Sequence, residues 1–375
     1  MNGDNLKRKL VLEDGSVYIG DGFGALTDKA VELVFNTSMV GYQEIVSDPS
    51  YTGQAVVMTY PLIGNYGMCD EDYETTRPSI SGLIVREYCD EPSNFRCTET
   101  LSQVMERYDI SGISGIDTRK LARHIRDFGS CKAYITSADT DTAKIVDELK
   151  NWTPDKDVVS KVSTPKPYKA GMIETDSSSS KSVHIVAIDC GMKKNILREM
   201  AKRGCSITVV PWNTTADDIA KLNPDGVFIS NGPGDPQDVT QTIQTVKDLI
   251  GKYPIFGICL GHQIISLAYG AMTYKLKFGH RGGNHPVRNL KTDKLEITSQ
   301  NHSYAVADDS LEGTGLVATH INLLDKTIEG VECVKDKVFS VQYHPESAPG
   351  PQDSSYLFDC FLKNIEEFGE EKKHA

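Results

Sequence analysis

The chain has 375 residues, too many for one ordinary core, so two domains are expected. A hydrophobic share of 39% beside 25% charged residues fits a globular protein and excludes a disordered or membrane-embedded one. The formal net charge of −12 argues against a nucleic-acid binder, which needs a basic surface to meet phosphates.

The N-terminal stretch MNGDNLKRKLVLEDG has no apolar core of the secretory type, and no run approaches the roughly 18 apolar residues of a membrane span. The expectation is a cytoplasmic protein. Nine cysteines at wide spacings, with no C-x-x-C, fit free thiols better than a disulfide framework or a zinc site.

In chain order, LVLEDGSVYIGDGFG places apolar and β-branched residues around Asp14 and Gly15, a hairpin signal. VELVFNTSMV and QAVVMTYPLIG read as further strands. DTRKLARHIRDFGS reads as a helix capped by Asp117 and ended by Gly129, with Leu121, Ile125 and Phe128 on its apolar face. Its other face carries Arg119, Lys120, Arg123 and Arg126, either a solvated basic face or a contact for an acidic partner. The first domain, residues 1–162, is therefore expected to be strand-rich and α+β. Residues 163–182 hold two prolines and four consecutive serines and read as a linker.

From residue 183 to 375 the pattern becomes strict alternation. VHIVAID, CSITVVP, GVFISN and PIFGIC read as strands. ILREMAKRG, TADDIAKL, TIQTVKDLIGK and LGHQIISLAYG read as the intervening helices. Apolar strands alternating with helices predict an α/β domain with a doubly wound, mostly parallel sheet. Such sheets hold ligands at the carboxyl ends of their strands.

Two of those ends are rich in chemistry. PIFGI is followed by Gly257-Ile258-Cys259-Leu260-Gly261, a G-x-C-x-G counterpart of the nucleophile elbow. Small neighbours two residues either side permit a sharp turn, and the thiol stands at a helix N-terminus, where the backbone dipole favours an anion. The N–H of Leu260 is placed to hold an oxyanion. Taken alone, Cys259 is more often a buried core cysteine. KVFSVQYHPES changes that reading, because it closes another strand with His344 and Glu346 on one face. Pro345 keeps the segment extended. A histidine that takes a thiol proton needs a third group to orient it, and Glu346 is the nearest candidate. After GVFIS, the turn Asn231-Gly232-Pro233-Gly234 exposes N–H groups that suit a carboxylate or an oxyanion. No Walker A loop or G-x-G-x-x-G occurs, so the residues offer no nucleotide site.

GICLGHQ, NGPGDP and HPE together resemble the class I (triad) glutamine amidotransferases, which have a flavodoxin-like fold. FNTSMVGYQE, DPSY, TYPLIGNYG, DTRKLAR, KFGHRGGNHPV and HPESAPGP resemble the small, glutamine-hydrolysing subunits of carbamoyl-phosphate synthases. The likeness runs from about Leu10 to about Phe368. It implies Cys259 as nucleophile, His344 as general base and Glu346 as its partner. It implies a glutamine pocket of Ser50, Gly232, Gly234, Leu260, Gln263, Asn301, Ser303 and Tyr304. The family usually has glycine where Ser303 stands, and a positive φ there would strain a serine.

The resemblance also implies a large subunit as partner, which would use ATP, Mg and bicarbonate. No cofactor is expected on this chain. The product would enter pyrimidine or arginine synthesis. A different Cys-His hydrolase and a non-catalytic regulatory subunit remain the alternatives. His262, His280, His285 and His302 invite a metal reading, but no carboxylate or cysteine follows at ligand spacing, so no metal is expected.

Overall fold

The computed structural model describes residues 6–170 and 182–374. Contacts divide the chain into two units, Met1–Lys156 with Lys277–Gly282, and Asp157–Leu276 with Gly283–Ala375.

In the first unit, Lys7–Leu12 and Val17–Gly24 form the expected hairpin, with Val11 opposite Val17 and Gly15 at φ 87° in the turn. Seven strands close on themselves, which leaves no exposed sheet edge. Around the barrel they run Lys7–Leu12, Val17–Gly24, Ser111–Ser114, Gly82–Ile84, Gln54–Met58, Lys29–Asn36 and Cys131–Ser137. Alternate residues face opposite ways. Leu33, Ala55 and Val57 join a core with Leu121 and Ile125, while Val34, Val56 and Met58 join one with Tyr42, Ile45 and Val104.

The basic helix forms as Thr118–Phe128, with the Asp117 side chain accepting from the Lys120 N–H at 2.9 Å. Phe128 departs from the expected apolar face. Leu121 and Ile125 are fully buried, whereas Phe128 is 77% exposed and lies against His124, one turn back, at 4.8 Å. As the last helical residue before Gly129 it falls past the edge of the core.

In the second unit, the five parallel strands lie in the order Ser206–Pro211, His184–Asp189, Gly226–Ile229, Ile255–Ile258 and Val338–Val341. Numbered along the chain this is 2-1-3-4-5, the flavodoxin-like doubly wound order that the alternation implied. Ile328–Cys333, Leu295–Val306, Thr273–Asn289 and Val317–Asn322 extend the sheet beyond Val338–Val341. Residues 277–282 within Thr273–Asn289 group with the first unit.

The expected linker is not structureless at its start. Tyr168–Ala170 adds an antiparallel edge strand, with Tyr168 opposite Val209. Helix Val158–Val162 also groups with the second unit, where Val159 joins the core. Residues 171–181, including the serine run, lie outside the described residues.

Both faces of the parallel sheet are covered. Ile185, Phe256 and Ile258 pack with Ile196, Met200, Phe358 and Phe361, and Val186, Ile188 and Ile255 pack with Ile219, Val246, Ile264 and Ile265. Phe256 is the hub of the first layer. It stacks on Phe339 at 4.4 Å and meets Phe228, Phe358 and Phe361 at 5.5–5.8 Å. No helix among the described residues is long and apolar enough to cross a membrane. Phe256→Ala removes a ring that its neighbours cannot replace, and should cost about 3–5 kcal/mol in denaturant titration. A loss below about 1 kcal/mol would contradict this packing.

Candidate active site

Cys259 leaves strand Ile255–Ile258 and caps helix Leu260–Ala268 with φ 55° and ψ −104°. The turn closes only because its neighbours lack side chains. A Cβ on Gly257 would stand 2.8 Å from the Gly261 carbonyl, and one on Gly261 would stand 2.3 Å from Ile229 O. The Cys259 N–H donates to Val341 O at 2.9 Å, and its sulfur lies 3.6 Å from Asn301 O.

His344 follows strand Val338–Val341, and its N–H donates to Ser299 O at 2.9 Å. Its Nδ1 lies 2.7 Å from Glu346 Oε1, and its Nε2 is buried with no hydrogen-bond partner among the described residues. Burial opposes charge on this ring, but the Glu346 carboxylate and the Cys259 thiol outweigh it and push the pKa up. Burial likewise opposes charge on Glu346, and Lys193 and His344 outweigh it and pull that pKa down.

Lys193 is the member that sequence reasoning missed. Its Nζ lies 2.9 Å from Glu346 Oε1 and donates to Ser347 O at 2.7 Å. Its backbone N–H donates to Asn231 Oδ1 at 3.2 Å, so the ends of the first and third parallel strands are tied together. Asn195, the second residue of helix Lys194–Lys202, which Lys193 precedes, donates to Glu346 O. Lys193 lies just past the carboxyl end of the first strand, where ligand sites occur in such sheets. That position was the available signal; the contact itself spans 153 residues and has no local pattern.

Most of the expected pocket residues converge here. A Cβ on Gly232 would stand 2.2 Å from Cys190 O and 2.8 Å from the Leu260 side chain, so this turn presses against the elbow. Gly234 adopts φ 89°. Gln263 donates to Tyr304 O and to Gln342 Oε1, both at 2.9 Å. Asn301, Ser303 and Tyr304 lie in strand Leu295–Val306. Ser303 is not among the positive-φ residues, so the serine carries no left-handed strain. Ser50 belongs to the first unit, in the turn Pro49–Tyr51, where its N–H donates to Asp48 Oδ1 at 2.9 Å.

A buried thiol and an imidazole held by a carboxylate are the groups that acyl transfer requires. A family model for glutamine amidotransferase class-I matches residues 186–364, and one for the carbamoyl-phosphate synthase small chain, CPSase domain, matches residues 10–135. A carbamoyl phosphate synthase small chain from Bacillus cereus is 53% identical over 98% of both chains. The chain belongs to the carbamoyl-phosphate synthase small-chain family.

A Fusobacterium nucleatum small chain is 51% identical over 96% of this chain and 98% of its own. A Halalkalibacterium halodurans relative named as the pyrimidine-specific small chain is also 51% identical, with the same coverage. As a member of this family the chain is the glutamine amidotransferase subunit of a glutamine-hydrolysing carbamoyl-phosphate synthase.

Of the histidines that invited a metal reading, His280 and His302 each place a ring nitrogen within 4.8 Å of the other and of a Glu329 carboxylate oxygen, a grouping that sequence spacing did not show. The His302 ring bonds Tyr304 O at 2.7 Å and Gln300 Oε1 at 2.9 Å. The His285 carbonyl accepts from Thr298 Oγ1 at 2.9 Å, and His280 lies among the residues that group with the first unit. His262 is fully buried with Nδ1 2.8 Å from Ser340 Oγ. Burial, and then His320, pull its pKa down to about 3, and burial with nearby Lys291 pulls that of His320 to about 4.

A histidine whose folded pKa lies below its unfolded value of about 6.5 leaves stability intact above that pH and removes it as pH falls. By pH 5 each should cost about 2 kcal/mol. The thermal midpoint of wild type should therefore fall between pH 6.5 and 5, and less steeply in His320→Asn. Parallel curves for the two proteins would rule out His320 as a source.

Proposed function

We propose that Cys259, His344 and Glu346 hydrolyse L-glutamine, and that the ammonia passes to the large subunit for carbamoyl phosphate synthesis. The observation that carries this reading is the His344 ring. Glu346 holds its Nδ1, and its unpartnered Nε2 remains available to the thiol of an elbow cysteine.

The Cys259 thiolate attacks the glutamine side-chain carbonyl carbon while His344 holds the proton. The N–H of Leu260 and the turn containing Gly232 and Gly234 stabilise the oxyanion. His344 then gives its proton to the departing nitrogen, which leaves as ammonia, and a γ-glutamyl thioester remains. Water attacks that carbonyl with His344 as base, the C–S bond breaks, and glutamate and the free thiol are restored. Glu346 keeps the ring oriented throughout, and Lys193 keeps Glu346 ionised.

Asn301, Ser303 and Tyr304 complete the glutamine pocket in this proposal. Gln263 contributes its amide oxygen, since its nitrogen already donates twice. The chain needs no cofactor or metal for this reaction; ATP, Mg2+ and bicarbonate are used on the large subunit. The proposed setting is the cytoplasm, feeding pyrimidine or arginine synthesis. The first unit supplies the docking surface, and the exposed Arg119 and Arg123 of helix Thr118–Phe128 are suited to an acidic partner.

The complex of this chain with its large subunit tests the reading. Cys259→Ala should lower glutamine-dependent carbamoyl phosphate formation by at least about 10³-fold and leave the ammonia-dependent rate unchanged. Retained glutamine use would refute the cysteine mechanism and favour a regulatory chain. Charge reversal at both Arg119 and Arg123 should weaken subunit association about tenfold or more at low salt. Unaltered association would remove this helix from the interface.

A further inference from the structure

Ser340 lies in strand Val338–Val341, and Gln342 and His344 follow just past its end. Each has a counterpart in the turn and first helical residues after strand Ile255–Ile258. Ser340 Oγ lies 2.8 Å from His262 Nδ1, and Gln342 Oε1 accepts from Gln263 Nε2 at 2.9 Å. Cys259 is the counterpart of His344, whose ring its thiol helps to charge. The strands are themselves in register, with Gly257 beside Ser340 and the Cys259 N–H bonded to Val341 O.

We propose that His262 is a positioning residue: through Ser340 it fixes the nucleophile helix along the strand that carries His344, and so sets the Cys259–His344 approach. This rests on the glutaminase reading above. Apolar burial has no preferred direction, whereas a hydrogen bond fixes distance and angle, so the Ser340 contact adds a directional tie beside those of Gln263 and the Cys259 N–H. The choice of residue supports a positional role. His262 is wholly buried and its Nε2 has no partner among the described residues. A leucine would fill such a core without an orphaned nitrogen, so the imidazole serves something other than packing. Ser340, also wholly buried, is the hydroxyl that Nδ1 meets.

The test uses the full-length chain and two readouts, glutamine hydrolysis and alkylation of Cys259 by iodoacetamide. Ser340→Ala and His262→Leu should each lower kcat about tenfold, leave KM within about twofold, and slow alkylation to a similar degree. His262→Asn, whose amide takes the place of Nδ1, should recover to within about threefold of wild type. A purely packing role predicts the opposite order, with His262→Leu near wild type and His262→Asn impaired, and that result would overturn the proposal. So would unchanged kcat and alkylation in Ser340→Ala. If Ser340→Ala does not fold, the comparison of His262→Leu with His262→Asn decides alone. If wild type releases no ammonia from glutamine but the alkylation differences appear, the glutaminase reading falls and the clamp stands.

Discussion

The second unit depends on one backbone turn. Cys259 holds a conformation that an L-residue adopts only under constraint, at a cost of about 1–3 kcal/mol. The sheet and helix on either side supply that constraint. The strand before Cys259 is paired on both edges, and the helix after it buries Ile264 and Ile265 in the core. Gly257 and Gly261 let the helix end approach the strand to a distance that any Cβ would prevent. The strain is local to Cys259, and the thiol is held away from an ordinary helical position.

The 2-1-3-4-5 strand order then determines what surrounds the turn. The first strand ends near Lys193, the third at Asn231 and Gly232, the fourth at Cys259, and the fifth leads to His344. Four chain segments, far apart in sequence, deliver their polar residues to the same end of one sheet. Burying them there removes competing water. It also obliges every charge to find a partner, and here Glu346 lies between a lysine and a histidine.

Legibility in the sequence followed physical range. Period-two and helical patterns gave the alternating elements of the second unit, and the Gly-flanked cysteine marked the elbow because a tight turn has strict local demands. His344 and Glu346 were legible as a close pair at a strand end, although the segment turns there, with the Ser347 N–H bonded to His344 O, and is not extended as expected. Lys193, Asn195 and Ser340 were not, since each acts through a partner at least 78 residues away in sequence. Phe128 misled because helical periodicity does not say where a core ends. The linker reading missed Tyr168–Ala170, because an edge strand beside Ser206–Pro211 has only one pairing partner and needs little apolar patterning of its own.

Lys193 also explains how Glu346 can serve a histidine from a buried site. A carboxylate alone in that core would be driven towards its neutral form. Paired with the lysine it stays ionised, and the lysine and carboxylate together carry no net charge. Lys193 at the same time disfavours charge on His344, opposing the pull of Glu346. The ring therefore sits beside a balanced ion pair, not an isolated anion. An isolated anion would hold the proton more tightly still; Lys193 reduces that pull, while the net effect of the site still raises the ring's pKa to about 10. In the proposed reaction the ring must take and release a proton in each half, and that moderation helps it do so. In the proposed mechanism the buried lysine, with no sequence motif of its own, is what lets the three residues that do have motifs work together.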